Sequence, residues 1–428
     1  MSVSEMRSSL LVGMTSVATS FALMSEASII ADDAGEAERS RPAPMTVSVR
    51  LIDGSRSTGT LSSLDEQSIG VVSSQGDEIT WPVSQVMWIE REDGERGESE
   101  SPPLVLLTND DVLCGDVTAV EEDQLTLSLS GADPPTSLSI PMEFVRSIVF
   151  REPPDPINRM RIQRLWALLK TNKDRLISTD YTHVDGELVG LSEQNVQLKT
   201  SLATISTPLE QLFAVILNNE LSSQPEVEGP YVITTLLNGS RVTWDSAELT
   251  ESGEFSGTTV WGESSTFPPE QLVQMQFLGD RVIAVAELTP SEYVFTPYLT
   301  EQHPLIRNRN VRGGPLRMRG ILSATGLGMH SKSAVSFDLT GDSYQLFRAD
   351  IGVDDITEGG GNVVFSIEVD GASVYRSSAL TGKSPVERVE SINLVGAKSL
   401  KLIVDFGEFA NISDVADWGN ALLVRSKD

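Results

Sequence analysis

Val363-Val364-Phe365-Ser366-Ile367-Glu368-Val369-Asp370-Gly371 puts an apolar side chain at every second position and stops on a turn pair. Alternation sends successive side chains to opposite faces, so the stretch reads as a strand with one buried face. Asp-Gly then supplies the tight turn that ends it. The same pattern recurs around it. Val335, Phe337 and Leu339 alternate, as do Phe347, Ala349, Ile351 and Val353, and Leu400, Leu402, Val404 and Phe406. Thr340-Gly341-Asp342, Gly359-Gly360-Gly361-Asn362 and Gly396-Ala397 punctuate the runs. Short strands, glycine-rich turns and no helical period predict two packed antiparallel sheets, a jelly-roll-like β-sandwich over residues 311–428.

Upstream, the chain repeats itself. Four segments end alike, at Pro82-Val83-Ser84-Gln85-Val86, Pro141-Met142-Glu143-Phe144-Val145, Pro208-Leu209-Glu210-Gln211-Leu212 and Pro268-Pro269-Glu270-Gln271-Leu272. Each ending reads as one helical turn leading into a last strand. The segments also open alike, with tight turns at Asp53-Gly54, Asn109-Asp110, Asn172-Lys173 and Asn238-Gly239. A glycine with two spaced apolar residues follows at Gly59/Leu61/Leu64, Gly115/Val117/Val120 and Gly186/Leu188/Leu191, whereas the fourth copy has Asp245 in place of the glycine. About five strands in a unit this small bury little surface, and a curved barrel kinked at the glycine is the economical closure. The reading is all-β: tandem small β-barrel repeats at 45–92, 103–152, 160–220 and 230–290, the last degraded, followed by the sandwich. In spacing, the repeats resemble small Sm-like barrels. Ile162, Leu165, Trp166 and Leu169 have helical spacing. The match to the second repeat predicts a helix only to about Arg164 and a strand after it. Arg159, Arg161, Arg164 and Lys170 form a basic cluster there, facing either the chain's own acidic repeats or an outside partner.

The formal net charge is -29, and residues 311–428 carry only -3 of it, from 12 Lys+Arg against 15 Asp+Glu. An acidic surface of this size repels phosphate backbones, so nucleic acid is not an expected partner. The single cysteine, Cys114, lies in an apolar strand pattern and is expected to be a buried thiol; no internal disulfide exists. Arg7 precedes an apolar run from Leu10 to Met24, and Ser25-Glu26-Ala27 offers small residues to a signal peptidase. Residues 1–27 read as a signal peptide and 28–44 as a disordered acidic linker. The protein is then expected to be secreted, periplasmic or in the cell envelope. No later run approaches the ~20 apolar residues of a membrane span.

Gly326-Leu327-Gly328-Met329-His330-Ser331, Phe347-Arg348-Ala349-Asp350-Ile351-Gly352-Val353-Asp354-Asp355 and Asp414-Val415-Ala416-Asp417-Trp418-Gly419-Asn420-Ala421, in this order, resemble the NPCBM family of carbohydrate-binding β-sandwiches on secreted bacterial proteins. The resemblance implies a carbohydrate partner. A sugar site needs an aromatic platform beside hydrogen-bonding groups. Phe337, Phe347, Phe365 and Phe406 fall in the core phase. Trp418, in the polar run Asp417-Trp418-Gly419-Asn420, is the aromatic candidate, with Asp417 and Asn420 beside it; Tyr375 and Phe409 are alternatives. His330 belongs to the family motif and is either a ligand contact or a structural histidine. Asp354 and Asp355 precede a loop of three glycines and are candidates for anchoring a turn, holding Ca²⁺ or accepting from sugar hydroxyls.

No P-loop, zinc-protease, nucleophile-elbow or dinucleotide motif is present. With 61 acidic residues, carboxylate pairs are inevitable and single out no glycosidase centre. The sequence reads as a non-enzyme that binds envelope or extracellular polysaccharide. Two alternatives stand beside it: a protein-binding scaffold that captures partners or self-associates through the repeats, and an accessory region of a glycoside hydrolase.

Overall fold

A computed structural model describes residues 45–426, apart from 93–96, 98–99, 122, 132–135, 228, 299 and 409. The expected signal peptide (1–27) and linker (28–44) lie outside the described residues.

The molecule is all-β. The first unit holds β1 (Thr46–Leu51), β2 (Arg56–Leu64), β3 (Ser68–Val72), β4 (Glu78–Pro82) and β5 (Val86–Arg91). The second holds β6 (Leu104–Leu107), β7 (Val112–Glu121), β8 (Gln124–Leu129), β9 (Ser137–Pro141) and β10 (Val145–Val149). Helix α1 (Pro156–Leu168) follows, then β11 (Asp174–Ser178), β12 (His183–Ser192), β13 (Asn195–Lys199), β14 (Thr204–Pro208) and β15 (Leu212–Ile216) of the third. The fourth holds β16 (Tyr231–Leu236), β17 (Arg241–Leu249), β18 (Phe255–Thr259), β19 (Ser264–Phe267) and β20 (Leu272–Leu278).

Within each unit the first four strands pair antiparallel in sequence order, and the fifth returns to the first, as in Val49↔Ile89 and Ile233↔Gln276. A single 3₁₀ turn carries the fourth strand into the fifth, at Val83–Gln85, Met142–Phe144, Leu209–Gln211 and Pro269–Gln271. Proline before each turn holds φ between -57° and -70° and ends the preceding ladder, because it has no N–H to donate. The glycines that recur from unit to unit also acquire a cause. A Cβ at Gly59 would collide with the carbonyl oxygen of Val72, and one at Gly115 with that of Ser128. In the fourth unit the close approach is made from the partner strand instead, by Gly257 against the carbonyl of Ser246, which is why Asp245 is tolerated.

The units differ from isolated closed barrels. Among the described residues no ladder joins a fourth strand to its fifth. The fifth strands zip units together instead: β5 pairs β20 (Met275↔Ile89) and β10 pairs β15 (Ile148↔Val215). First pairs with fourth and second with third, and the bridge Arg241↔Val112 between β17 and β7 joins the two pairs into one hydrogen-bonded network of 20 strands. One core runs through all four units, from Val49 and Ile69 through Leu125 and Val196 to Phe255. The third hairpin turn is not Asn172-Lys173, which precedes β11; it is formed by Asp180-Tyr181, with Tyr181 at φ 68°. Helix α1 continues past Arg164 to Leu168, burying Ile162, Trp166 and Ala167 against a satellite core with Leu104, Phe213 and Ile216. Of the basic cluster, Arg159 pairs with Glu152 and Arg164 approaches Glu301, both within the chain.

The sandwich consists of β21 (Val282–Ala284), β22 (Glu292–Phe295), β23 (Ile306–Arg307), the small hairpin β24 (Arg317–Met318) and β25 (Ile321–Leu322), then β26 (Gly326–His330), β27 (Ser333–Asp338), β28 (Tyr344–Val353), β29 (Val363–Val369), β30 (Ala372–Arg376), β31 (Glu387–Asn393), β32 (Ser399–Phe406) and β33 (Val415–Arg425). One sheet runs β23-β26-β33-β28-β31 with β21 added on β33; the other runs β22-β27-β32-β29-β30. Both sheets therefore begin before residue 311, the start expected from the alternating runs. Phe337, Phe347, Phe365 and Trp418 fill the space between them. The outer face of β33 is covered too. Leu422 and Val424 join Met87 and Trp88 of the first unit and Ile233 and Leu278 of the fourth in a shared apolar cluster.

Candidate functional site

Burial decides the fate of the residues picked from sequence. Trp418 is 0% exposed. Its ring meets Phe365 edge-on at 5.0 Å and Phe347 at 6.4 Å. The alternation of β33 turns Ala416 and Trp418 into the sandwich core, so this tryptophan plugs the sandwich and offers no stacking face. Asn420 is buried at φ 45°, accepts from Gln276 Nε2 at 2.7 Å and donates to Asp350 Oδ2 at 3.1 Å. It rivets the sandwich to the fourth unit. Asp417 and Asp354 are both buried, as neighbouring carboxyls whose titrations are linked. Burial first, and then the neighbouring Asp354 carboxyl, raises the Asp417 pKa well above the usual carboxylate range, and burial raises Asp354 too, so the pair retains protons that free carboxyls release.

Asp354 also accepts from the backbone N–H of Ile356 at 2.8 Å and of Arg317 at 3.1 Å. Asp355, partly exposed, takes N–H donors from Arg319 and Gly320, each at 2.7 Å. These carboxylates fasten the β24–β25 hairpin to the loop after β28, the turn-anchoring role among the alternatives. Among the described residues, no group of three His, Cys, Asp or Glu side chains is placed to hold a metal ion. His330 is buried and stacks on His303, ring to ring at 4.0 Å, with Phe295 edge-on to both. It contacts the Ser331 carbonyl through Nδ1 at 2.9 Å and serves as a structural histidine. Cys114 is buried, which pushes its thiol up to about 12, an unreactive group at neutral pH. Tyr375 is half-buried with its hydroxyl on Glu387, and Phe409 lies outside the described residues.

The aromatic surface lies elsewhere, at the sandwich end where β22, β26 and β32 finish and β27, β29 and β33 begin. Tyr298 is 59% exposed, and its ring stands nearly perpendicular to that of Phe406 at 6.5 Å. Phe406 is half-exposed at the tip of β32, not in the core as its phase implied, because the sheet ends there. Lys332 Nζ lies 3.6 Å from Asp405 Oδ2 beside this pair. Beneath the rim, Asp414 accepts from the Ser331 hydroxyl and from the Asn362 N–H, while Gly407 N–H bonds to the Asn362 carbonyl at 2.7 Å. The Asn362 Oδ1 has no donor. Two aromatic rings, an ammonium and a carboxylate therefore converge on one loop cluster. The sequence signal for Tyr298 was its place in Thr296-Pro297-Tyr298, directly after an alternating run, where no core position remains for an aromatic.

Residues 289–424 match the NPCBM/NEW2 domain. A protein of Renibacterium salmoninarum named "Putative endo-alpha-N-acetylgalactosaminidase" is 34% identical over 114 residues, a stretch that is 27% of this chain and 7% of that protein. Among solved structures, the CBM51 module of a Clostridium perfringens GH95 protein in complex with methyl-galactose is 23% identical, covers 33% of this chain and 99% of its own, and superposes with a TM-score of 0.31. The tandem CBM51 modules of a family 98 glycoside hydrolase from Streptococcus pneumoniae are 11% identical over 59% of this chain and 88% of their own, also with a TM-score of 0.31.

Proposed function

We propose that this chain is an exported carbohydrate-binding protein that holds a saccharide on the Tyr298–Phe406 rim of its sandwich. An NPCBM/NEW2 domain is a carbohydrate-binding module and is non-catalytic in itself. The observation that carries the site is the exposed ring pair beside Lys332 and Asp405. A pyranose presents a C–H face to an aromatic ring and hydroxyl edges to charged groups, and the rim supplies both. A shallow, wet site of this kind binds weakly per module. The acidic character of the whole chain favours neutral glycans over sulfated or uronic ones. The four units then act as a spacer that fixes the sandwich in orientation.

A glycan array on the full chain tests the reading. Binding to at least one neutral glycan is expected, and Tyr298→Ala should weaken it about tenfold, the loss of one stacking contact. A blank array from folded protein overturns the ligand claim. Undiminished binding by Tyr298→Ala overturns the site. The relative from Renibacterium supports a second reading, in which the chain serves as the binding part of a hydrolase system. Faster polysaccharide turnover by a partner hydrolase when the chain is present, with none by the purified chain alone, would establish that instead.

A further inference from the structure

The pairing of units leaves a concavity at each junction, and the two are built from equivalent parts. Between the first and fourth units lies a cavity of about 560 Å³, and between the second and third one of about 400 Å³. In each, one wall is the 3₁₀ turn and the start of the fifth strand: Val83 and Val86 in one, Met142 and Val145 in the other. The opposite wall is the partner unit's second strand and the end of its fifth: Ala247 and Phe277, or Leu188 and Leu217. The turn after the second strand forms the lip, with Glu66 or Asp123. The smaller cleft is drawn together by a short ladder between second strands, Leu191↔Val120 and Ser192↔Ala119. No such ladder joins β2 and β17 among the described residues, and the larger cleft stands open there.

The larger cleft combines two chemistries. Its floor is apolar, made by Val86, Val232, Ala247 and Phe277, all buried. Its mouth carries Glu66, Asp245 and Asp280, exposed carboxylates whose side chains have no hydrogen-bond or ion-pair partner among the described residues, and Arg281 is the one cation among the described residues of the lining. Asp65, also at the mouth, is occupied with the backbone N–H groups of Gln67 and Ser68.

We propose that the cleft between the first and fourth units is a docking site for a lysine- or arginine-bearing segment of a partner protein. Long cationic side chains lay an aliphatic stem on apolar surface and hold the charged head at its edge, which is the arrangement this cleft complements. The volume exceeds one such side chain and admits a neighbouring apolar residue of the same segment. The acidic field of the units draws a basic segment in and raises its encounter rate. The smaller cleft, narrowed by its ladder, binds the same chemistry more weakly.

The probe is a short fluorescent peptide alternating lysine and leucine, measured by anisotropy with the full chain at about 150 mM salt. Comparison peptides replace leucine with serine, or lysine with glutamate. Saturable binding of the lysine–leucine peptide is expected, with both comparison peptides at least about tenfold weaker. The triple variant Glu66→Gln, Asp245→Asn, Asp280→Asn should lose about tenfold, and a variant neutralising Asp116, Glu193 and Glu220 on other surfaces should lose little. Ser246→Trp, which fills the cleft from a partly exposed position, should also abolish binding. Absence of saturable binding, equal affinity for the lysine–serine peptide, or equal losses in the two triple variants would overturn the proposal. None of these readouts depends on a glycan.

Discussion

The imidazoles of His303 and His330 lie parallel, 7° apart in plane and 4.0 Å between centroids, inside the sandwich end beneath the aromatic rim. Burial lowers the His303 pKa to about 3 from its ordinary 6.5, helped by His330 and by Arg312 and Arg164. Burial lowers His330 as well, against a contrary pull from the Ser331 carbonyl and Glu301. The folded state therefore refuses protons that the unfolded chain accepts. This stabilisation is complete above the unfolded value of 6.5 and is lost as pH falls from there toward 3. Acid unfolding should steepen below about pH 6.5, by up to about 1.4 kcal/mol per pH unit for each proton excluded. Thermal melts of His303→Gln from pH 7 to 4 should show a shallower fall than the parent. Parallel curves would mean the stack is protonated without cost.

The Asp354–Asp417 pair acts with the opposite sign. Both carboxyls have raised pKa values, chiefly from burial, so the folded state holds a proton that the unfolded chain releases. Stability from this source is full below the ordinary value of 3.8 and declines as pH rises through the raised one. Asp417→Asn supplies a permanent donor to Asp354 and should raise the melting temperature at pH 8 while leaving that at pH 4 nearly unchanged. Asp417→Ala leaves Asp354 buried without that donor and should cost about 1–3 kcal/mol at pH 8. If the asparagine variant melts lower than the parent at pH 8, the shared proton is not the source of the raised values.

Gln276 and Asn420 join the fourth unit to the sandwich by one buried bond, extended by Thr325 Oγ1 donating to Gln276 Oε1 at 3.2 Å. Removing one partner strands the other, so Gln276→Ala or Asn420→Ala should each cost about 1–3 kcal/mol. Asn420→Ala carries an added penalty for its left-handed backbone, which alanine adopts poorly. A double-mutant cycle should give a coupling of about 0.5–3 kcal/mol, and additivity would show that the docking does not rest on this contact.

The core face of a strand was legible from alternation, as Val363, Phe365 and Ile367 show, although Val364 and Ser366 on the other face are buried too, and the proline-led 3₁₀ turns were legible because each copy repeats the same local chemistry. Pairing between units left no such trace. Met275 and Ile89 are neighbours only through strands far apart in sequence, and each looks like any other core residue. The polar run around Trp418 misled for a related reason. Asn420 is polar because it bonds across a buried junction and Asp417 because it lies buried beside Asp354, not because either faces water. In α1, side-chain spacing spoke for a helix beyond Arg164, but the match to the preceding copy hid it.

Strand β21 belongs in sequence to the tail of the fourth unit and in space to β33, where Ile283 faces Leu423. The sandwich is thus not a portable cassette. Excised at the residue where its family likeness begins, 289, it would leave behind the strip that seals one side of its central strand. Transplants of this module onto another protein should carry the chain from before Val282, and fragments cut later should be prone to stick together along the bared edge.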